Sequence, residues 1–322
     1  MRRLKGIVGI LLLLGYSPAM AQPDGLQERP VRIVVPFTAG GNVDIVARLI
    51  AQGLSEQLKL NVVVENKPGA NAIIGAESVA HAAPDGHTLL LGTAETHAIN
   101  PHIYRKLSYD PLKEFTTVGI VSRFPFALVT SPKLPARSLA EFVAYAKQHQ
   151  GKLNYATWGI GSTSQIAFEQ LKQAAGIDLV HVPFKGAAPA ITAVAASDVE
   201  AFMVPLSVAL PQATSGRVRL LAITSAERDD TAPDVPTASE LGVPVVIGGW
   251  HVLAAPKGTP PAAVKRLNAA LNAVTGSSEY RGRLLKQGVR PATSTPEEAQ
   301  AMVAGEWKRW GAIAEKAAIS AD

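Results

Sequence analysis

Cysteine is absent from all 322 residues. That excludes disulfides, thiolate metal sites, iron–sulfur clusters, a cysteine nucleophile and a lipid-modified N-terminal Cys. Charge is sparse as well: 18% of residues are charged against 47% hydrophobic, which excludes a disordered chain and provides for a large buried core. Catalytic signatures are missing. There is no G-x-S-x-G elbow, Walker A loop, H-E-x-x-H pair or complete G-x-G-x-x-G; Gly159-Ile160-Gly161-Ser162-Thr163-Ser164 fails that last pattern at its third glycine. The His residues show no ligand spacing with carboxylates on one helix face, so neither a metal nor a cofactor is expected. Beyond the first 21 residues, no apolar run approaches the length that spans a bilayer.

What is present begins with an export pattern. Arg2, Arg3 and Lys5 precede an apolar run over 7–14 and then Ala19-Met20-Ala21, which reads as a signal peptide over residues 1–21. The run is too short for a stable membrane anchor. Cleavage after Ala21 removes three positive charges and no acid, taking the net charge from +5 to +2. With no basic stripe interleaved with aromatics, nucleic acid is not an expected partner. An exported chain without Cys fits a bacterial periplasm.

Strand and helix patterns then alternate, the signature of α/β layers. A β-branched run over 31–37 meets a small-residue turn at 38–42. A helix over 44–58 follows, with its stripe at Ile45, Val46, Leu49, Ile50, Leu54 and Leu58. A strand at 61–65, a helix near 74–82 and a strand at 88–93 complete a βαβαβ unit. A second unit starts after Phe115: an extended run over 117–130, a helix capped by Ser138, strands at 153–157, 179–183, 199–204 and 219–224, and helices between them. A strand leaves a Pro-rich connection near Trp250, and helices over about 260–274 and 296–317 end the chain. At about 150 residues per domain the length suggests roughly two domains. Val35-Pro36-Phe37-Thr38-Ala39-Gly40-Gly41 is echoed at Val182-Pro183-Phe184-Lys185-Gly186-Ala187-Ala188, a suggestive internal likeness or chance similarity between two βα turns.

Two loops carry binding chemistry. Thr38-Ala39-Gly40-Gly41-Asn42 joins a strand to a helix near Asp44; small residues let the backbone approach a ligand, and the helix's first N–H groups have no intrahelical partner. Residues 159–163 repeat that arrangement, with Ser162, Thr163 and Ser164 as further donors. Both loops are expected beyond the carboxyl ends of strands, where open α/β sheets bind ligands. Either could also be an ordinary tight turn. Asp44 reads as a helix cap or a bridge to Arg48. Trp158 would stack on a ligand or cover the cleft mouth, and Lys185 would be a counter-charge or a solvated turn residue. Trp250 reads as packing at a hinge.

Pro36-Phe37-Thr38-Ala39-Gly40-Gly41-Asn42-Val43-Asp44-Ile45-Val46-Ala47-Arg48 resembles the P-F-x-x-G-G-x-x-D-x-x-A-R signature of the Bug family, the solute-binding receptors of tripartite tricarboxylate transporters. The similarity continues through Val64-Glu65-Asn66-Lys67-Pro68-Gly69-Ala70, Ala83-Pro84-Asp85-Gly86-His87-Thr88, Thr96-His97-Ala98-Ile99-Asn100-Pro101, His181-Val182-Pro183-Phe184-Lys185-Gly186 and Ala255-Pro256-Lys257-Gly258-Thr259-Pro260. The resemblance implies a two-lobed, Venus-flytrap α/β fold with doubly wound sheets. One lobe would comprise 22–120 with 250–322 and the other 121–249, with the cleft between them. It further implies that Phe37, Thr38, Ala39, Gly40, Gly41 and Asn42, together with Gly161, Ser162 and Thr163, hold a ligand carboxylate, partly through water. Ala94, Glu95 and His97, after the third strand, and Lys185 with Gly186 would line the rest. Three departures stand out: Val204-Pro205 replaces a frequent Asp, Gln165 a common His, and Gly69-Ala70-Asn71-Ala72 a more glycine-rich turn. Losing that acid weakens the case for an amino-acid ligand unless another carboxylate substitutes.

The expected function is therefore capture of a small organic anion by a periplasmic monomer that delivers it to the membrane subunits of a tripartite tricarboxylate transporter. A receptor signalling to a membrane sensor kinase is the alternative. An exported hydrolase rests only on scattered Ser, His and Asp.

Overall fold

The computed structural model describes residues 26–316 and 319–321; the expected signal peptide and its cleavage site lie outside them. Strand β1 (Val31–Val35) is buried along nearly its whole length, as a central parallel strand must be. Helix α1 (Asn42–Leu58) buries Val46, Ile50, Leu54 and Leu58 and ends where Lys59 turns left-handed, with φ 58°. Strand β2 (Val62–Asn66), helix α2 (Ile73–Ala80) and strand β3 (Thr88–Gly92) complete the first unit. A π-helical turn (Glu95–Ile99) then runs into α3 (Asn100–Ile103), a stretch to which the sequence pattern assigned no element.

The 16-residue strand β4 (Phe115–Thr130) leads to the second unit. This contains α4 (Leu139–Gln148), β5 (Asn154–Thr157), α5 (Thr163–Ala175), β6 (Val180–Pro183), α6 (Ala187–Ala196), β7 (Ala201–Pro205), α7 (Leu206–Thr214) and β8 (Arg219–Ile223). The chain returns through β9 (Gly248–Pro256), then α8 (Pro261–Gly276), α9 (Ser278–Leu285), the short β10 (Arg290–Pro291) and α10 (Pro296–Lys316). The strand order is β2-β1-β3-β9-β4-β7-β5-β6, with β8 and β10 also paired to β4.

Each unit holds three parallel strands, β2-β1-β3 and β6-β5-β7. Alternate residues on these strands pack helices on opposite faces. In the first unit Ile33, Val35 and Leu89 meet α1 and α8, while Val34, Leu90 and Ala254 meet α2. In the second, Tyr155 and Met203 meet α4 and α5, while Ala156, Phe202 and Val204 meet α6 and α7. That two-sided cover is double winding.

Strand β4 serves both units. Its first part pairs with β9 as far as Pro125, and its last part pairs with β7 and β8 from Phe126 or Ala127 onward. The topology also re-reads the internal echo. The counterpart of the central β1–α1 turn is the β5–α5 turn, whereas residues 182–188 follow the edge strand β6 and correspond to the end of β2. The echo is therefore not the register of the two units.

Candidate ligand-binding site

A cleft, part of it open to solvent, lies between the two units beyond the carboxyl ends of β1, β3, β5 and β7. This is where parallel strands leave their loops and where helix N-termini converge. Phe37, Thr38, Gly41, Asn42, Ala94, Glu95, Trp158, Thr163 and Gly186 line it, so nine of the sequence-predicted residues are brought together. Gly186 sits at φ 118°, and a Cβ there would approach Thr38 Oγ1 to 3.0 Å. The glycine lets the β6–α6 turn close on the first loop. Lys185 is exposed and lines an outer chamber, which shares Phe37, Thr38, Trp158 and Gly186 with the inner cleft. Trp158 lines both spaces and forms part of the partition between them.

The centre of the site is Glu95, which opens the π-helical turn after β3 and is 3% exposed. Its Oε1 accepts from Thr163 N at 3.1 Å, Thr163 Oγ1 at 2.6 Å and Trp158 Nε1 at 3.2 Å. Its Oε2 accepts from Thr93 Oγ1 at 2.7 Å. The N-terminus of α5 thus receives a carboxylate from the protein itself, in the place where the sequence suggested a ligand's carboxylate. A buried anion with several donors, one of them at a helix N-terminus, is favourably placed.

The first loop keeps its N-terminus toward the cleft. Gly41, the N-cap of α1, makes no side-chain cap, and Gly41, Asn42 and Val43 all line the space. Asn42 Nδ2 donates to Ser207 Oγ on α7 at 2.7 Å, a bond across the cleft, while its buried Oδ1 has no partner. The tight turn falls at Gly40, with φ 81°; Gly41 is extended, with φ −83° and ψ 172°. Asp44 stands at the flank of this turn, accepting from Gly40 N at 3.0 Å, Arg48 Nε at 3.0 Å and Asn66 Nδ2 at 3.0 Å. Burial by itself raises its pKa, but these donors and the Arg48 charge outweigh it and hold the carboxyl below its ordinary value. Asp44 makes the bridge to Arg48 read from the sequence, but it is not the cap: Gly41 holds that position, and Asp44 sits inside the first turn and ties back to Gly40 N.

Six predicted residues do not line the inner cleft. Ser162 is the N-cap of α5, fully buried, accepting from Gln165 N and donating to Gly159 O at 2.6 Å. Its proton is committed to Gly159 O, so it is not available as a ligand donor in this arrangement. Gly161 donates to Gln165 Oε1 at 2.7 Å and accepts from Asn71 Nδ2 at 3.1 Å, so its backbone too is occupied. His97 turns into the core, 1% exposed, against Phe115 and Trp250. Ala39 and Gly40 are exposed and do not line the cleft, and Lys185 lies in the outer chamber.

The sequence reading missed the floor of the cleft. Phe124 and Phe126 on β4, Pro205 and Val208 at the start of α7, and Gly249 and Trp250 on β9 line it. Phe124, Phe126 and Trp158 form a continuous aromatic series, with ring centroids 5.8 and 5.9 Å apart in sequence. Trp250 also donates Nε1 to Glu306 Oε2 at 3.0 Å, so it packs against α10 and faces the cleft. Phe124-Pro125-Phe126 was the available signal, because two aromatics two residues apart on a strand share one face. Nothing in the pattern said what that face meets.

Two doubly wound units facing each other across a cleft, crossed by β4 and β9, define the class of two-lobed periplasmic binding proteins. Within that class the chain belongs to the tripartite tricarboxylate transporter family receptors, the TctC family, whose sequence model matches residues 46–319. It is 32% identical over 315 residues to Protein BugT of Bordetella pertussis, covering 97% of each chain. The structure of R. palustris Rpa4515 with adipate superposes with a TM-score of 0.88 at 36% identity, over 91% of this chain and 98% of that one. MatC (Rpa3494) from Rhodopseudomonas palustris with bound malate superposes at 0.83 and 37% identity, over 88% and 98%. The family is one of periplasmic receptors, and the sequence resemblance to Bug proteins holds.

Proposed function

We propose that the protein captures a small organic carboxylate in the periplasm and presents its closed form to the membrane subunits of a tripartite tricarboxylate transporter. The observation that carries this reading is the open N-terminus of α1 in an apolar cleft, where Gly41, Asn42 and Val43 face the interior. The first N–H groups of a helix lack intrahelical partners and carry the positive end of its dipole. In an aromatic-walled space with little water, those groups suit a carboxylate without any Lys or Arg. The adipate and malate bound to the two similar proteins support a carboxylate ligand.

The lobes would be 22–120 with 250–322 and 121–249, hinged where β4 and β9 cross. The change of pairing partner at Pro125 and Phe126 supports a crossing within a few residues of those bounds. In the closed form Gly186 would lie against Thr38, as it does in this structure. Signal-peptide removal after Ala21 and a monomeric state belong to the same reading.

Thermal shift with mono-, di- and tricarboxylates, followed by calorimetry and mass spectrometry of the recovered ligand, tests it. A true ligand adds about 2.7 kcal/mol of stability at a hundred-fold excess over Kd and is recovered unchanged. Chemical conversion of the ligand, or stabilisation by a neutral control and by no carboxylate, overturns the reading.

A further inference from the structure

Among the described residues that line the inner cleft, Glu95 is the one charged side chain. The ion pairs of the described residues give it no cationic partner. Its charge is stabilised by hydrogen bonds alone, three on Oε1 and one on Oε2. A carboxylate offers about four lone-pair sites, two on each oxygen. Oε2 therefore keeps acceptor capacity beyond Thr93. A second acceptor points the same way: Asn42 Oδ1 is buried, lines the cleft through its residue and has no partner, its amide nitrogen being committed to Ser207.

One unpartnered acceptor, spare acceptor capacity on Oε2 and a negative charge without a cationic partner make this a cleft that suits donors and positive charge. The walls agree, because the series Phe124, Phe126 and Trp158 ends at Glu95 through the indole N–H. Aromatic faces attract a cationic nitrogen, most strongly where water is excluded. A second ligand carboxylate at this end would instead face Glu95 in a low-dielectric space, where like charges repel strongly. The helix N-terminus that would have held it is already filled by Glu95.

We infer that Glu95 is a specificity-determining residue, and that the ligand is a zwitterion: one carboxylate at the α1 N-terminus and a cationic nitrogen against Glu95 and the Trp158–Phe126 wall. This rests on the carboxylate reading above and sharpens it. The substrate class becomes amino acids and betaine-like compounds rather than di- or tricarboxylates.

The test uses the full mature chain and matched probes that differ only at the far end. Straight-chain amino acids with one to four methylenes between nitrogen and carboxylate are compared by calorimetry with dicarboxylates, unsubstituted monocarboxylates and carboxylate-free amines of the same spacer. For at least one spacer the amino acid is expected to bind ten-fold or more tighter than its dicarboxylate and monocarboxylate partners, the scale of a hydrogen bond to a charged group. In Glu95→Gln that preference should vanish while the dicarboxylate gains. Tighter binding of the dicarboxylate to the native protein, or an unchanged preference in Glu95→Gln, overturns the assignment and leaves the carboxylate reading standing. Amines that bind as well as amino acids would instead overturn the carboxylate reading and keep Glu95 in its role. Silence from every probe sinks both, and the native-protein comparison decides without any variant.

Discussion

A serine and a glycine show how side chains of similar sequence context divide between scaffold and site. Ser162 spends its hydroxyl on Gln165 N and Gly159 O, so Ser162→Ala should lower stability by about 1 kcal/mol, as loss of an N-cap does. Ligand affinity should stay within about three-fold, equivalent to less than about 0.7 kcal/mol. Urea unfolding beside calorimetry separates the two effects. Gly186 behaves differently. Its φ of 118° is one that side chains rarely adopt, and Thr38 Oγ1 stands 3.0 Å from where a Cβ would lie. Gly186→Val should weaken binding by at least about ten-fold, roughly 1.4 kcal/mol, by strain in the turn and by holding it away from the first loop. Small-angle scattering with saturating ligand should show a larger radius for the variant than for the native protein; equal radii would contradict the closing role.

At the scale of the element, the N-terminus of α1 depends on Asp44. The carboxylate ties Gly40, Arg48 and Asn66 together, and Asn66 Nδ2 also donates to Phe37 O at 3.1 Å. The first loop, α1 and the end of β2 are thus one hydrogen-bonded unit. Asp44→Asn removes the charge and should cost about 1–3 kcal/mol, the range for bonds to a charged group that is nearly buried. Because the folded carboxyl titrates below its ordinary range, its stabilisation is complete above about pH 4 and is lost as pH falls through the folded value. Acid-unfolding curves of the variant should be flatter in that range than those of the native chain. Much of this element was legible: the stripe of α1, its acidic first turn and the spacing to Arg48 are all local. The π-helical turn was not, since it takes its form from Glu95 reaching the second lobe and from His97 and Ile99 packing inward.

Across the whole molecule, two histidines are buried where the long strands and the π turn meet. Burial holds His97 down to about 4 and His251 to about 3, and each has an Nε2 without a partner. The unfolded chain takes up these protons near pH 6.5 and the folded one does not. Stability is therefore full above about pH 6.5 and falls as pH is lowered from there, by about 1.4 kcal/mol per unit for each histidine. The urea midpoint should drop clearly between pH 7 and pH 5, before the aspartates begin to titrate. A midpoint unchanged over that interval would show that neither ring is held neutral in the folded state.

Local periodicity and turn chemistry determined the α/β class, the two βαβαβ units, most helix and strand positions and the two glycine-rich turns, because those depend on residues close in sequence. The family motifs did the same for the kind of receptor. What faces the cleft was a tertiary decision. Strand β4 presents Phe124 and Phe126 to it only because that strand crosses from one unit to the other. Ser162 is turned into a cap by its own helix, and Glu95 becomes the charged centre because the second lobe brings Thr163 and Trp158 to it from more than sixty residues away. A carboxylate's role is set by the donors and cations that surround it, and those are assembled only by the tertiary fold.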